Sequence, residues 1–76
     1  MTAVVLRRVD PARNMARYYR MDVQPDLFGG WTFIREWGRI GRPGTIRVLP
    51  CPSENAAIAA LEKQTTVKTQ RGYCEA

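Results

Sequence analysis

An aromatic ring and a guanidinium group stand one glycine apart at Trp37–Gly38–Arg39. An indole can stack on a base or a sugar, and a guanidinium can hold a phosphate or a carboxylate through two parallel hydrogen bonds. Gly41 and Gly44 follow at a three-residue spacing, with Arg42 between them. Backbone amides in such a turn can form an anion-binding concavity, although glycines also serve simply to permit the turn. We therefore predict that Trp37–Gly38–Arg39 and the turn after it form an anion-binding corner, in which Arg39 or Arg42 contacts a phosphate.

The role of Trp37 has two interpretations. A tryptophan buries a large area, so in a small domain it can complete the interior. An exposed tryptophan can instead stack on a ligand, which contributes on the order of 1–3 kcal/mol. Arg35 has strand spacing with Trp37, which places both on one face, unless Arg35 pairs with Asp22 across a hairpin. Arg47 would extend the cationic patch onto a neighbouring strand.

The charge balance favours an anionic partner. The 76 residues carry a net charge of +5, and ten of the twelve basic residues are arginine. Arginine in preference to lysine suits planar contact with phosphate, but it is also what a GC-rich genome would encode. A basic surplus of this kind is typical of chains that meet nucleic acid or acidic protein surfaces.

Catalysis and metal binding are the functions that the composition argues against. The chain has no His, only two Cys and no Gly-Lys-Ser/Thr phosphate loop. Asp22 and Glu36 are better placed as salt-bridge partners than as a catalytic pair. We expect no enzyme activity, no metal and no cofactor. Without a signal peptide or about 20 consecutive apolar residues, we expect a cytoplasmic chain that binds no membrane. Cys51 and Cys74 are then reduced, with a disulfide between them as the less favoured alternative.

Several strands must hold the corner in place. Alternating large side chains predict strands at 3–9, 17–24, 31–37 and 45–49. In the second strand, Tyr19, Met21 and Val23 form an apolar face, which is typical of an antiparallel strand with its other face in water. Trp31 and Phe33 of the third strand are expected in the core.

One helix follows the strands, at 56–68. Ser53 is a favourable N-cap, Gly72 a favourable C-cap, and Tyr73 is positioned to dock on the sheet. Leu27 and Phe28, between the second and third strands, are expected to fold back as a lid over one end of the sheet. The element order predicts a single α+β domain over residues 1–76, in which about four to five antiparallel strands carry one C-terminal helix on one face.

These residues and their flanks resemble the WGR domain family. Trp37–Gly38–Arg39 matches the signature tripeptide, and the flanking stretches lie at the family's spacing across residues 10–73. The matching flanks are the tyrosine pair 18–19, the run 31–41, Lys68 near the end of the helix and Tyr73 just beyond it. The stretches 10–19 and 24–29 look like those of short, stand-alone bacterial members.

The resemblance implies nucleic-acid binding. In the poly(ADP-ribose) polymerases that respond to DNA breaks, the signature Trp packs on the sugar and base at a 5′ DNA end. The signature Arg contacts DNA or bridges to neighbouring domains. Carried over, Trp37 would stack and Arg39 would bridge or contact phosphate. Lys68 occupies a helix position where the family keeps a lysine, against the alternative of a solvated helix end. Several of those polymerases have Asn-Lys where this chain has Ala16 and Arg17.

We therefore predict a non-catalytic nucleic-acid-binding module that meets DNA, in preference to RNA, at ends or nicks. The predicted binding residues are Arg17, Arg35, Trp37, Gly38, Arg39, Arg42 and Lys68. The alternative is a protein-interaction domain or homodimeric subunit that uses the same corner, since Trp and Arg are common hot-spot residues. Either way we expect a monomer or a weak homodimer; an orphan fragment without a function is the third possibility.

Overall fold

The computed structural model describes residues 2–75 as one sheet with one helix. The strands β1 to β5 span Thr2–Asp10, Met15–Pro25, Trp31–Arg39, Thr45–Cys51 and Cys74–Glu75; the helix α1 spans Glu54–Gln70, and a 3₁₀ turn spans Pro11–Arg13. The strands pair antiparallel in the order β4-β3-β2-β1-β5. The predicted α+β class is confirmed, and the elements extend up to two residues beyond their predicted ends.

The strand register divides the side chains into two faces. Leu6 lies opposite Tyr19, and Tyr19 lies opposite Trp37. Because side chains alternate along a strand, this row and every second row point to the side on which α1 packs, which we call the inner face. The rows between them, such as Arg20 opposite Glu36, point to the opposite side, which we call the outer face.

The core lies between α1 and the inner face. Its buried apolar side chains are Leu6, Tyr19, Met21, Val23 and Phe33 from the sheet, with Ala57, Leu61 and Tyr73 from the helix and the segment after it. Phe33 is buried as expected, whereas Trp31 at the start of the same strand is half-buried against the cluster. Each large apolar side chain contributes roughly 1.5–3 kcal/mol when buried, so a core this small is sensitive to single substitutions.

The predicted N-cap of α1 is confirmed at Ser53, whereas the C-cap is Arg71, one residue before the predicted Gly72. The Ser53 Oγ accepts a hydrogen bond from a backbone N–H of the first turn at 3.1 Å. After the helix, Gly72 has a φ of 95°, a left-handed conformation that side-chain-bearing residues rarely adopt. The N–H of Tyr73 donates to the Lys68 carbonyl at 3.1 Å. The chain therefore reverses sharply, which returns Tyr73 to the core and lets β5 pair with β1.

The expectation that Leu27 and Phe28 form a lid is wrong. Leu27 is 96% exposed and Phe28 is 95% exposed. Asp26 explains this, because its Oδ1 accepts hydrogen bonds from the N–H groups of Phe28 at 2.7 Å and Gly30 at 2.8 Å. These bonds close a tight turn at the tip of the β2–β3 hairpin, and the short backbone path leaves both apolar side chains outside the sheet.

The two cysteines are free thiols. Cys51 ends β4 and Cys74 begins β5, and these strands form opposite edges of the sheet. A disulfide requires Cα atoms within about 7 Å of each other, so this fold excludes a bond between them within one chain.

Candidate functional site

A cleft of about 490 Å³ opens on the inner face beside the C-terminal end of α1. Its lining residues are Arg17, Tyr19, Trp37, Gly38, Arg39, Lys68 and Tyr73. We call it the aromatic–cationic cleft. Three of these side chains are cationic and three are aromatic, and among the described residues that line it none is acidic. The arrangement therefore offers an anion both positive charge and flat apolar surfaces.

The register explains why these residues meet. Arg17 lies opposite Arg39, and in the next row of the inner face Tyr19 lies opposite Trp37. Arg8 of β1 lies opposite Arg17, so a row of three arginines crosses the end of the sheet. The end of α1 supplies Lys68, and the reversal after it supplies Tyr73.

The three aromatic rings of the cleft pack against one another. Tyr19 and Trp37 are stacked, with ring centroids 5.7 Å apart and an interplanar angle of 13°. Tyr73 meets Tyr19 edge-on, at 6.4 Å and 76°. The half-buried ring of Trp37 therefore packs against the core and also lines the cleft, and its stacking on a ligand stays a prediction.

Lys68 lies over two of these aromatic rings. Its Nζ is 4.6 Å from the centroid of the Tyr19 ring and 5.7 Å from that of Tyr73, which is the range of cation–π attraction. Burial lowers the pKa of Lys68 from its ordinary value, and the positive charges of Arg71 and Arg35 lower it further. Lys68 is half-buried over the Tyr19 ring and is therefore not a solvated helix end; its contact with a ligand stays a prediction.

Arg35 lies on the same face as Trp37, and the alternative pairing with Asp22 is wrong. Arg35 lies opposite Met21, one residue from Asp22, and that single step places the two charges on opposite faces of the sheet. The Arg35 Cζ is 5.7 Å from the centroid of the Trp37 ring. Arg47 lies opposite Arg35 on β4 and is exposed, so both cations flank the cleft without lining it.

Arg39 is tied to the turn between β1 and β2. Its Nη1 donates to the Asn14 carbonyl at 3.2 Å and its Nη2 approaches the Asn14 Oδ1 at 3.4 Å. Asn14 holds a left-handed conformation with φ of 50°. A guanidinium has five N–H donors, so Arg39 keeps donors for a ligand while it joins two corners of the sheet.

The glycine-rich loop serves close packing. A Cβ on Gly44 would overlap the Trp37 carbonyl oxygen and the Tyr18 hydroxyl, and a Cβ on Gly38 would lie 2.9 Å from the Gly44 Cα. Gly38 and Gly44 therefore let the two ends of the loop touch. Arg42 lies in the exposed part of this loop and does not line the cleft.

Sequence reasoning assigned Tyr19 and Tyr73 only to the core. Both also line the cleft. The signal that could have found Tyr19 is its strand spacing with Arg17, which places both on one face. Tyr73 carried no such signal, because its place depends on how α1 packs.

Two other kinds of site are absent from residues 2–75. No group of three or more His, Cys, Asp or Glu side chains lies close enough together there to hold a metal ion. In the same part of the chain, no helix is long and apolar enough to cross a membrane.

Comparison with known proteins gives the family. The family model described as "WGR domain" matches residues 2–76. The chain is also similar to a protein of Sinorhizobium fredii described as "Uncharacterized protein y4dW", with 43% identity over 68 residues, which is 90% of this chain and 33% of that protein. The chain thus spans about a third of that relative's length. No solved structure matches the chain. Since the family model covers nearly every residue and its signature Trp-Gly-Arg lies in the wall of the cleft, the chain belongs to the WGR domain family, whose members are generally non-catalytic modules that bind nucleic acid.

Proposed function

We propose that this chain is a non-catalytic module that binds DNA at ends or nicks through the aromatic–cationic cleft. The observation that carries the proposal is the stacked pair of Tyr19 and Trp37 beside three cations, Arg17, Arg39 and Lys68. A nucleotide combines a flat π face, which can stack on the aromatic rings, with a charged phosphate, which the three cations can bind.

An end or a nick suits this cleft better than continuous duplex. A base inside a duplex must be unpaired and unstacked before its face can meet a side chain, whereas a terminal nucleotide exposes one face already. Trp37 would pack on the sugar or base of that nucleotide. The cations around it would then hold the flanking phosphates, with Arg35 and Arg42 as outer contacts.

The preference for DNA over RNA follows from the resemblance to the polymerases that respond to DNA breaks. The cleft itself recognises features that both nucleic acids share, namely phosphate charge and base faces. RNA forms therefore belong in the same experiment as DNA forms.

Fluorescence anisotropy with labelled blunt, nicked and single-stranded DNA, and with matched RNA, tests the proposal. Phosphate contacts by the three cations that line the cleft predict that log affinity falls against log salt with a slope of about −2.7, and contacts by Arg35 and Arg42 would make the slope steeper. We expect nicked and end-bearing DNA to bind more tightly than a closed duplex minicircle. No binding of any form at low salt would refute the proposal, and equal affinity for an acidic peptide would support the protein-interaction alternative instead.

A further inference from the structure

The outer face of the sheet carries aliphatic side chains that no part of residues 2–75 covers. Val5 is 38% exposed, Ile46 58% and Val48 59%. Ile34, which lies opposite Val48, is half-buried on the same face. A sheet face that meets only water is usually polar, so these four side chains indicate a face that is covered by something else.

The outer face is also electrically balanced. Among the described residues, its charged side chains are Arg7, Arg20, Asp22 and Glu36, so the surplus of the +5 chain lies elsewhere. Two of these charges pair within the chain, with the Arg20 Nη1 3.9 Å from the Glu36 Oε1. A neutral face offers no attraction to nucleic acid or to an anionic membrane, but it lets a second copy of a basic chain approach without repulsion.

One buried polar atom on this face has no hydrogen-bond partner within the described part of the chain. Asp22 is only 9% exposed, and while its Oδ2 accepts a hydrogen bond from the Gln24 Nε2 at 2.7 Å, its Oδ1 has no donor among the described residues. A cavity of about 110 Å³ adjoins it, lined by Arg20, Asp22, Gln24, Ile34 and Glu36. A buried acceptor without a donor is unfavourable, so this part of the outer face is not optimised for the isolated chain.

We infer that the outer face is the contact between two copies of this chain, packed back to back about a two-fold axis. In that arrangement a patch meets itself, so the exposed Arg20 of each copy reaches the Glu36 carboxylate of the other. The side chain of Arg20 is 54% exposed and, among residues 2–75, makes only one long ion pair, so its guanidinium has donors to spare. The valines and isoleucines of the two copies cover each other around this polar centre.

The size of the face is sufficient for such a contact. Four long strands spaced about 4.8 Å apart, each with about nine residues at about 3.3 Å, give a flat area of roughly 600 Å². Protruding side chains raise the accessible area above the flat value. A stable interface buries about 800 Å² on each partner, so this face reaches the lower end of the range for a specific dimer.

Sedimentation velocity without nucleic acid, from about 1 µM to about 1 mM, tests the inference. We expect a reversible dimer with a dissociation constant in the micromolar range. Val48→Lys should raise that constant at least about tenfold. Leu49→Lys is the matched control, because Leu49 is the adjacent residue of β4, is 51% exposed, and lies on the inner face opposite Phe33.

Two further variants complete the test, one at the hairpin tip and one on the outer face. Leu27→Ser with Phe28→Ser removes the exposed hairpin tip and should leave the dimer intact. Ile46→Lys repeats the outer-face test should Val48→Lys fail to fold, as judged by circular dichroism. A wild-type chain that stays monomeric at about 1 mM overturns the inference. The inference is also overturned if the outer-face variants still form the dimer while the tip variant or Leu49→Lys does not. Since no nucleic acid is present, neither result bears on DNA binding.

Discussion

Replacing Lys68 with methionine separates the charge of the cleft from its packing. Methionine keeps an unbranched, flexible stem and removes the ammonium that lies 4.6 Å above the Tyr19 ring. One phosphate contact contributes about 0.9 to the slope of log affinity against log salt, which at about 0.1 M salt is roughly eightfold in affinity. We therefore expect Lys68→Met to bind nicked DNA about eightfold more weakly, with a salt slope shallower by about 0.9.

The same substitution should leave the fold nearly as stable. Loss of the cation–π attraction costs about 0.5–1 kcal/mol. In the other direction, burial and the positive charges of Arg71 and Arg35 disfavour the ammonium in the folded protein. Because the two effects oppose each other, the free energy of unfolding should change by less than about 1 kcal/mol.

The assay is anisotropy with nicked DNA at several salt concentrations, together with urea unfolding of each variant. Lys63→Met is the matched control, because Lys63 is an exposed residue of the same helix and its loss removes the same net charge. Equal weakening in both variants would mean that only net charge matters. An unchanged salt slope in Lys68→Met would show that Lys68 does not contact phosphate, and either result would contradict the expected role of Lys68.

Four further outcomes are expected. Trp37→Ala should weaken binding by about 1–3 kcal/mol through lost stacking, measured by anisotropy, with Trp37→Phe between it and the wild type. Gly44→Ala should destabilise the fold by about 1–3 kcal/mol, because its Cβ meets the Trp37 carbonyl and the Tyr18 hydroxyl; urea unfolding against Thr45→Ala checks it. Leu27→Ser with Phe28→Ser should change the free energy of unfolding by less than about 0.5 kcal/mol, since exposed side chains contribute little, and a loss of several kcal/mol would contradict the exposed tip. The lowered pKa of Lys68 means that the folded state binds fewer protons than the unfolded state as pH approaches 10.5 from below. Wild-type stability relative to Lys68→Met should therefore rise with pH in that window, and a fall in unfolding experiments would contradict the sign.

The parts of the fold that local chemistry decides could be predicted from the sequence. Ser53 caps the helix and Gly72 ends it because both roles depend on a few neighbouring atoms. The alternation in β2 and β3 likewise identified the buried face. Leu27 and Phe28 were misjudged because hydrophobicity does not report how much room a turn leaves, and here the Asp26 carboxylate fixed a turn too short to fold back.

The site was less predictable because it depends on distant parts of the chain. Trp37, Gly38 and Arg39 are neighbours in sequence, but the cleft also needs Arg17 from β2 and Lys68 from α1. Only the resemblance to the family indicated that Arg17 and Lys68 belong to the site. Whether Arg35 and Asp22 share a face depends on the register between β2 and β3. A shift of one residue would reverse the answer, so sequence alone left both possibilities open.

The ring of Tyr19 belongs to the interior and to the binding surface at the same time. It is 3% exposed, yet its ring stacks on that of Trp37 and forms part of the cleft. A substitution that retunes ligand preference at this ring therefore also alters how well the domain folds. A redesign for another ligand has more freedom at Arg17, whose exposed side chain can be exchanged while the hydrophobic interior stays as it is.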